Sequence, residues 1–223
     1  MQGRWIAPSD AIARIADRLG RALAAPALAY QPFLVASDVV GWVTPARAER
    51  LACWPQLFWR RDRALEFAPS LDTREARTGA LATVARTLAA EDALTAWRDE
   101  RYAVAASPGA PALFELERAA ARYFGIHTFA AHANGLIGDE DRWQMWLARR
   151  SPTKAIDPGL LDNLVGGGIA AGSDAAATMI KEAWEEAGIV ESLSRHAQRA
   201  GSIDICRDTF DGLQRETIYV HDL

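Results

Sequence analysis

Three glutamates, Glu182, Glu185 and Glu186, stand at i, i+3 and i+4 inside LVGGGIAAGSDAAATMIKEAWEEAGIV, residues 164–190. On a helix that spacing gathers three carboxylates on one face, with Cβ atoms roughly 5–6 Å apart. Each like-charged pair costs about 0.2–0.5 kcal/mol. The last two also lie near the helix C-terminus, where the dipole disfavours anions. A divalent cation reverses the sign of both terms, and carboxylate oxygens are the hard ligands that magnesium or manganese takes. In isolation Glu-Ala-Trp-Glu-Glu reads as a solvated acidic face. Its surroundings favour the cation. Gly166, Gly167 and Gly168 allow the close backbone approach that phosphate chemistry needs. Gly188 stands where a helix stops in the left-handed conformation, and Lys181 adds one positive charge beside the carboxylates.

A helix with Ser173 or Asp174 as N-cap, running to Ala187, must carry these groups. Ala176, Ile180, Ala183 and Ala187 form its expected apolar stripe, set to bury against a sheet. HTFAAHANGLIG and RWQMWLARRS read as the strands of a hairpin turning through residues 138–141. IDICRDT and RETIYVHDL read as two more strands joined at Phe210-Asp211-Gly212. Residues 191–202 read as helix or loop. Toward the N-terminus, SDAIARIADRLGRALA spaces Ile12, Ile15, Leu19 and Leu23 as an amphipathic helix capped by Ser9 or Asp10. Residues 32–43 read as strand pieces broken at Ser37-Asp38. TPARAERLACW reads as a helix capped by Thr44 with Pro45 first, and LFWRRDRALEFAP as strand. Residues 73–106 predict one or two helices, and LFELERAAARYFGI another that ends near Gly125. The fold class is therefore α+β: a helix-rich N-terminal accessory domain over 1–120, then a strand-rich domain over 121–223. The chain stops on a fresh strand with nothing after it to cover it, so the second domain is expected to be incomplete. The same uncovered strand offers a second copy an edge, so a homodimer is an expectation.

The glycine run and acidic helix together resemble the Nudix box, Gly-x5-Glu-x7-Arg-Glu-U-x-Glu-Glu-x-Gly-U, where U is apolar. Gly167 takes its first position and residues 181–189 its last nine. Ser173 stands in place of the first glutamate, and Lys181 in place of the arginine. Upstream, GIHTFAAHANGLIG, WLARRSPTK and DPGLLDNLVGGG are similar to a Nudix subgroup related to thiamine pyrophosphokinase, in which a helical domain precedes the Nudix domain. The resemblance implies an α/β/α sandwich with a mixed sheet over roughly 120–223. It implies magnesium- or manganese-dependent hydrolysis of a small organic diphosphate, with thiamine diphosphate or its damaged analogues in view. Glu185 and Glu186 would hold the metal, Glu182 would ligate it or take the proton from water, and Lys181 would help hold the geometry. The alternative is a non-catalytic Nudix module that binds a diphosphate or a protein. The isomerase chemistry of the same fold needs a catalytic cysteine in the pocket, and Cys53 and Cys206 are poorly placed for it.

Arg149, Arg150 and Lys154 precede the glycine loop and could clamp a terminal phosphate or be a solvated strand end. Asp162 and Asn163 read as loop-shaping residues, and His127 and His132 as core or loop histidines. Trp42, Trp54, Trp59 and Trp97 could stack on a heteroaromatic ring, but core packing is the commoner fate of such residues.

The bulk properties narrow the field. With 223 residues, half of them hydrophobic, the chain can bury a sizeable core. A net charge of −4 without a basic block argues against nucleic acid as partner. MQGRWIAPSDAIARIADRLGR has no apolar run suited to a signal peptide or a membrane span. Two distant cysteines suggest reduced thiols rather than a zinc site or disulfide framework. Cytoplasmic location is the expectation.

Overall fold

A computed structural model describes residues 9–22, 25–138, 142–153 and 158–223. Helix α1 (Ser9–Ala22) leads into strands β1 (Gln31–Val35) and β2 (Asp38–Val43), helix α2 (Pro45–Leu51), strands β3 (Phe58–Arg61) and β4 (Ala64–Phe67), and helix α3 (Arg74–Ala90). Strands β5 (Arg101–Ala105) and β6 (Ala112–Glu117) follow, then a 3-10 turn over Arg118–Ala120. The long strand β7 (His127–Ile137) is followed by the short strands β8 (Gln144–Trp146), β9 (Ala148–Arg149) and β10 (Leu161–Asp162), and by β11 (Val165–Gly168). Helices α4 (Ala175–Ala187) and α5 (Glu191–Ser194) precede a terminal hairpin of β12 (Gln198–Thr209) and β13 (Gly212–Asp222).

Two hydrophobic cores form. The first lies under a sheet of order β2-β1-β4-β3, closed by α2, α3 and the β5-β6 hairpin. Its centre is phenylalanine: Phe33, Phe58, Phe67, Phe114 and Phe124 stack or tilt against one another at centroid distances of 5.0–6.4 Å. The second is smaller, with Ala131, Ala133, Val165, Met179 and Ala183 between α4 and a mixed sheet of order β11-β7-β13-β12. There β13 runs parallel to β7 from Arg215↔His127 to Asp222↔Asn134, and antiparallel to β12. Among the described residues after 121, α4 packs on the sheet and α5 on α4, so one helical layer of the expected sandwich is seen.

Several sequence expectations are corrected. The N-terminal half is less helical than its composition suggests. Residues 101–105 and 112–117 pair as a hairpin, not as helices. Tyr102 and Val104 alternate inward, as do Phe114 and Leu116, so a two-residue period wins over the helical spacing that the alanines mimic. The helix α1 forms, but its stripe of Ile12, Ile15 and Leu19 stays more than half exposed; its proposed caps, Ser9 and Asp10, have side chains outside the described set. Gln198 to Ser202, read as helix or loop, belong to β12. The final YVHDL is not an uncovered strand: it lies in β13, inside the sheet between β7 and β12. Among the described residues the ends of this strand order are β11 and β12, with β8 also paired to β7, so the last strand is not the edge that a homodimer would use. Residues 139–141 of the expected hairpin turn lie outside the described residues, although β8 does pair antiparallel to β7.

Candidate active site

Asp174 caps α4, its carboxylate accepting the Ala177 N–H at 2.8 Å. Gly188 ends the helix at φ +65°, and the N–H groups of Gly188 and Ile189 return to the carbonyls of Trp184 and Ala183. The buried face differs from the expected stripe. Thr178, Met179 and Ala183 are buried, whereas Ala176 and Ala187 are exposed. Met179 and Ala183 are the buried apolar side chains of α4, so the face that carries them meets β11 and β7. Glu182, three residues after Met179, is carried inward with it; its side chain is only 15% exposed, against 52% for Glu185.

The glycines of β11 make room for this. A Cβ on Gly167 would collide with the Glu182 carboxyl group, one on Gly168 with the Tyr102 hydroxyl, and one on Gly166 would reach within 2.7 Å of the His132 ring. All three therefore serve close approach between backbone and side chain, and none of them has a positive φ. The strand β11 is at the sheet edge, which leaves the Gly166 N–H free to donate to Glu186 Oε2 at 3.0 Å.

Lys181 Nζ lies 3.1 Å from Glu182 Oε1 and 3.0 Å from Glu185 Oε2. These two carboxylates hold the ammonium charge above its ordinary lysine range. The ammonium is thus a stand-in cation at the glutamates. Among the described residues no three acidic, histidine or cysteine side chains already converge as a metal cage. The donor set itself fits a hard divalent ion, since it offers oxygen only and an excess of negative charge. Taking one up requires Lys181, half-exposed at its side chain, to leave the carboxylates.

The other expected residues divide. Arg150 donates to Asp162 Oδ2 at 2.7 Å and lines a cleft that opens onto Gly166 and Glu186. Arg149 instead donates to the Gly159 carbonyl and is not among the cleft-lining residues. Lys154 lies outside the described residues. Asp162 and Asn163 shape the loop: Asp162 also accepts its neighbour's N–H, and Asn163 Oδ1 meets His132 Nδ1 at 3.1 Å. His127 meets the Thr217 hydroxyl at 2.9 Å and stacks on Phe129; burial, then Arg215, push it below the ordinary histidine value. Ser173 bonds Thr178 at the far end of α4 from the glutamates. Trp54 packs against the first core under Arg50, Trp59 and Trp97 are exposed, and none of Trp42, Trp54, Trp59 and Trp97 lines the cleft.

The cleft has a volume of about 180 Å³ and draws a third of its wall from residues before 121, which the sequence alone did not place at the site. Arg98, Tyr102 and Arg118 come from there and Arg215 from β13. Burial pushes the Tyr102 hydroxyl up to about 12. Burial works against the Arg118 charge, but Tyr102, Glu100 and Glu182 together outweigh it and hold that guanidinium above its ordinary range. Arg118 and Glu182 therefore sense each other across the two halves. No local motif marks these arginines, because strand pairing rather than sequence spacing brings them to the glutamates.

Two family models and three curated proteins match this chain. Residues 15–128 match the family described as Domain of unknown function (DUF4743), and residues 128–221 match the NUDIX domain. The chain is 31% identical over 203 residues to "Nudix hydrolase 20, chloroplastic" of Arabidopsis thaliana, an alignment covering 87% of this chain and 54% of that protein. It is 33% identical over 199 residues to "Nudix hydrolase 24, chloroplastic" of the same plant, with the same coverage of each. It is also 35% identical over 141 residues to "Uncharacterized protein YJR142W" of Saccharomyces cerevisiae, covering 57% of this chain and 41% of that one. The chain thus spans about half the length of the two plant relatives. The chain thus belongs to the DUF4743 family, and its residues 128–221, in which the glycine strand and acidic helix meet as described, match the NUDIX domain.

Proposed function

We propose that the chain is a Nudix-type hydrolase that cleaves the diphosphate bond of a small organic diphosphate with magnesium or manganese. The observation that carries this reading is the seating of Glu182 on Gly167, with Glu185 and Glu186 beside it and Lys181 as the counter-charge. Glu185 and Glu186 would hold the cation with Glu182. The cation, when bound, neutralises phosphate charge and makes water a better nucleophile at neutral pH. Glu182, the most enclosed of the two carboxylates on Lys181, would take the proton from the attacking water. The glycine strand holds that carboxylate against its backbone, and Arg150, fixed by Asp162, would orient the phosphates.

For the substrate we propose thiamine diphosphate or its damaged analogues. The support is resemblance of residues 120–223 to the thiamine pyrophosphokinase-related subgroup. The four N-terminal tryptophans give this choice no support, being outside the cleft. We propose the boundary between accessory and Nudix domains near residue 120, although Ala121, Tyr123, Phe124 and Ile126 still pack in the first hydrophobic core. A reducing, cytoplasmic setting suits Cys53 and Cys206, which are free and exposed. Among the described residues no helix is long and apolar enough to cross a membrane.

The test is phosphate release from thiamine diphosphate, its oxidised analogues, ADP-ribose, a dinucleoside polyphosphate and isopentenyl diphosphate, with about millimolar magnesium. Turnover of one class that EDTA abolishes is expected. No turnover of any, with one compound still bound in calorimetry, would replace this reading by a non-catalytic binding module.

A further inference from the structure

The wall of the cleft holds five arginines, Arg98, Arg118, Arg122, Arg150 and Arg215, in a chain whose net charge is −4. Three are already neutralised. Arg118 pairs with Glu100 at 2.6 Å, Arg122 with Asp211 at 3.4 Å, and Arg150 with Asp162 at 2.7 Å. Among the described residues, Arg98 and Arg215 have no carboxylate partner within ion-pair distance. Glu216, also on the wall, accepts instead from Gln214 at 2.8 Å.

These two arginines are held in place. The carboxylate of Glu117, only 6% exposed, accepts the backbone N–H of Arg98 at 3.2 Å and that of Ala119 at 3.3 Å. One buried acid therefore fixes the loop of Arg98 and the 3-10 turn that presents Arg118. Arg215 is half-buried in β13, in register with His127 of β7. Guanidinium groups on ordered backbone, facing a small polar cleft without their own counter-ions, are built to receive an anion with planar, two-point hydrogen bonding. The cleft reaches Gly166 and Glu186 at its other side, so such an anion would lie next to the glutamates.

We propose that Arg98 of the DUF4743 region and Arg215 of the NUDIX domain together bind a phosphoryl group of the substrate, so that the binding site is complete only when both regions are present. This rests on the hydrolase reading and adds its second half. The cleft volume of about 180 Å³ suits a phosphoryl-sized group on a small molecule and not a polymer. The accessory region is then part of the substrate site, and it selects ligands with a negative charge beyond the one met at the glutamates.

The test is calorimetric binding of inorganic pyrophosphate to the full metal-free chain, comparing wild type with Arg98→Ala, Arg215→Ala and their double variant. Arg14→Ala, on the exposed helix α1, is the control. Each single cleft change is expected to weaken binding about tenfold, as loss of one charge-assisted hydrogen bond does. Arg98→Lys should recover part of the loss, and the control should bind as wild type. KM for a turned-over diphosphate should rise in step while kcat moves less. A wild type that ignores pyrophosphate, or a double variant that binds it as wild type does, overturns the proposal. The two readings fail separately. Glu182-dependent turnover with KM unchanged in the cleft variants removes this inference and keeps the hydrolase. Arginine-dependent pyrophosphate binding without turnover of any diphosphate keeps the anion site and removes the hydrolase.

Discussion

At Gly167 a single added methyl group would occupy the space of the Glu182 carboxyl. A Gly167→Ala chain is therefore expected to fold, since the displaced atoms end a side chain, but to misplace that carboxylate. Displacement of about 1 Å at a reacting group costs on the order of a hundredfold in rate, and kcat with an unchanged far-ultraviolet spectrum would check it. Lys181 allows the opposite experiment. Its ammonium competes with any cation for Glu182 and Glu185. Each exposed pair of this kind is worth about 0.3–0.5 kcal/mol. Lys181→Met is thus expected to lower the magnesium concentration for half-saturation by about two- to fivefold, read from a metal titration. A rise in that concentration would mean that Lys181 supports the cation rather than competing with it.

The helix α4 is the element that turns these residues into a site, and its two ends are separately testable. Gly188 has open space around its would-be Cβ, so its only reason to be glycine is φ +65°. Gly188→Ala should cost about 1 kcal/mol, the price of a left-handed residue with a side chain, as a shift in the urea midpoint with unchanged slope. Much of α4 was legible beforehand: the cap pair Ser173/Asp174, the stop at Gly188 and the shared face of the three glutamates follow from local rules. Its rotation was not, because the expected stripe ran through Ala176 and Ala187 and left out Met179, and only contact with β11 and β7 shows which face wins. The strands β5 and β6 were misread for a related reason. Alanine-rich segments satisfy helical and alternating patterns at once, and long-range pairing decides between them. With those strands went Arg98, Tyr102 and Arg118, and so the accessory part of the site.

On the scale of the whole molecule, the N-terminal segment is tied to the last hairpin by one acid. Asp208 of β12 accepts the N–H groups of Ala27 and Leu28 at 2.6 and 3.2 Å and the Tyr30 hydroxyl at 2.6 Å. The Tyr30 hydrogen bond, helped by the two backbone donors against some desolvation, holds the Asp208 carboxyl below the usual aspartate value. A depressed folded value stabilises above the unfolded pKa of about 4 and loses that contribution as pH falls through the folded value. Protection of the Ala27 and Leu28 amides, taken relative to their intrinsic exchange at each pH, should therefore be high at neutral pH and fall below about pH 4, and Asp208→Asn should lower it at neutral pH.

All of these features serve one arrangement, a carboxylate cluster on α4 seated against a glycine strand and facing an arginine cleft. The measurement that tests it most directly is kcat of wild type and Glu182→Gln on the same diphosphate at saturating magnesium. The isosteric amide keeps the packing on Gly167 and removes the base. A loss of roughly 10²- to 10⁴-fold is expected, with thermal stability unchanged. Wild-type kcat in Glu182→Gln would contradict the account and place the chemistry elsewhere in the molecule.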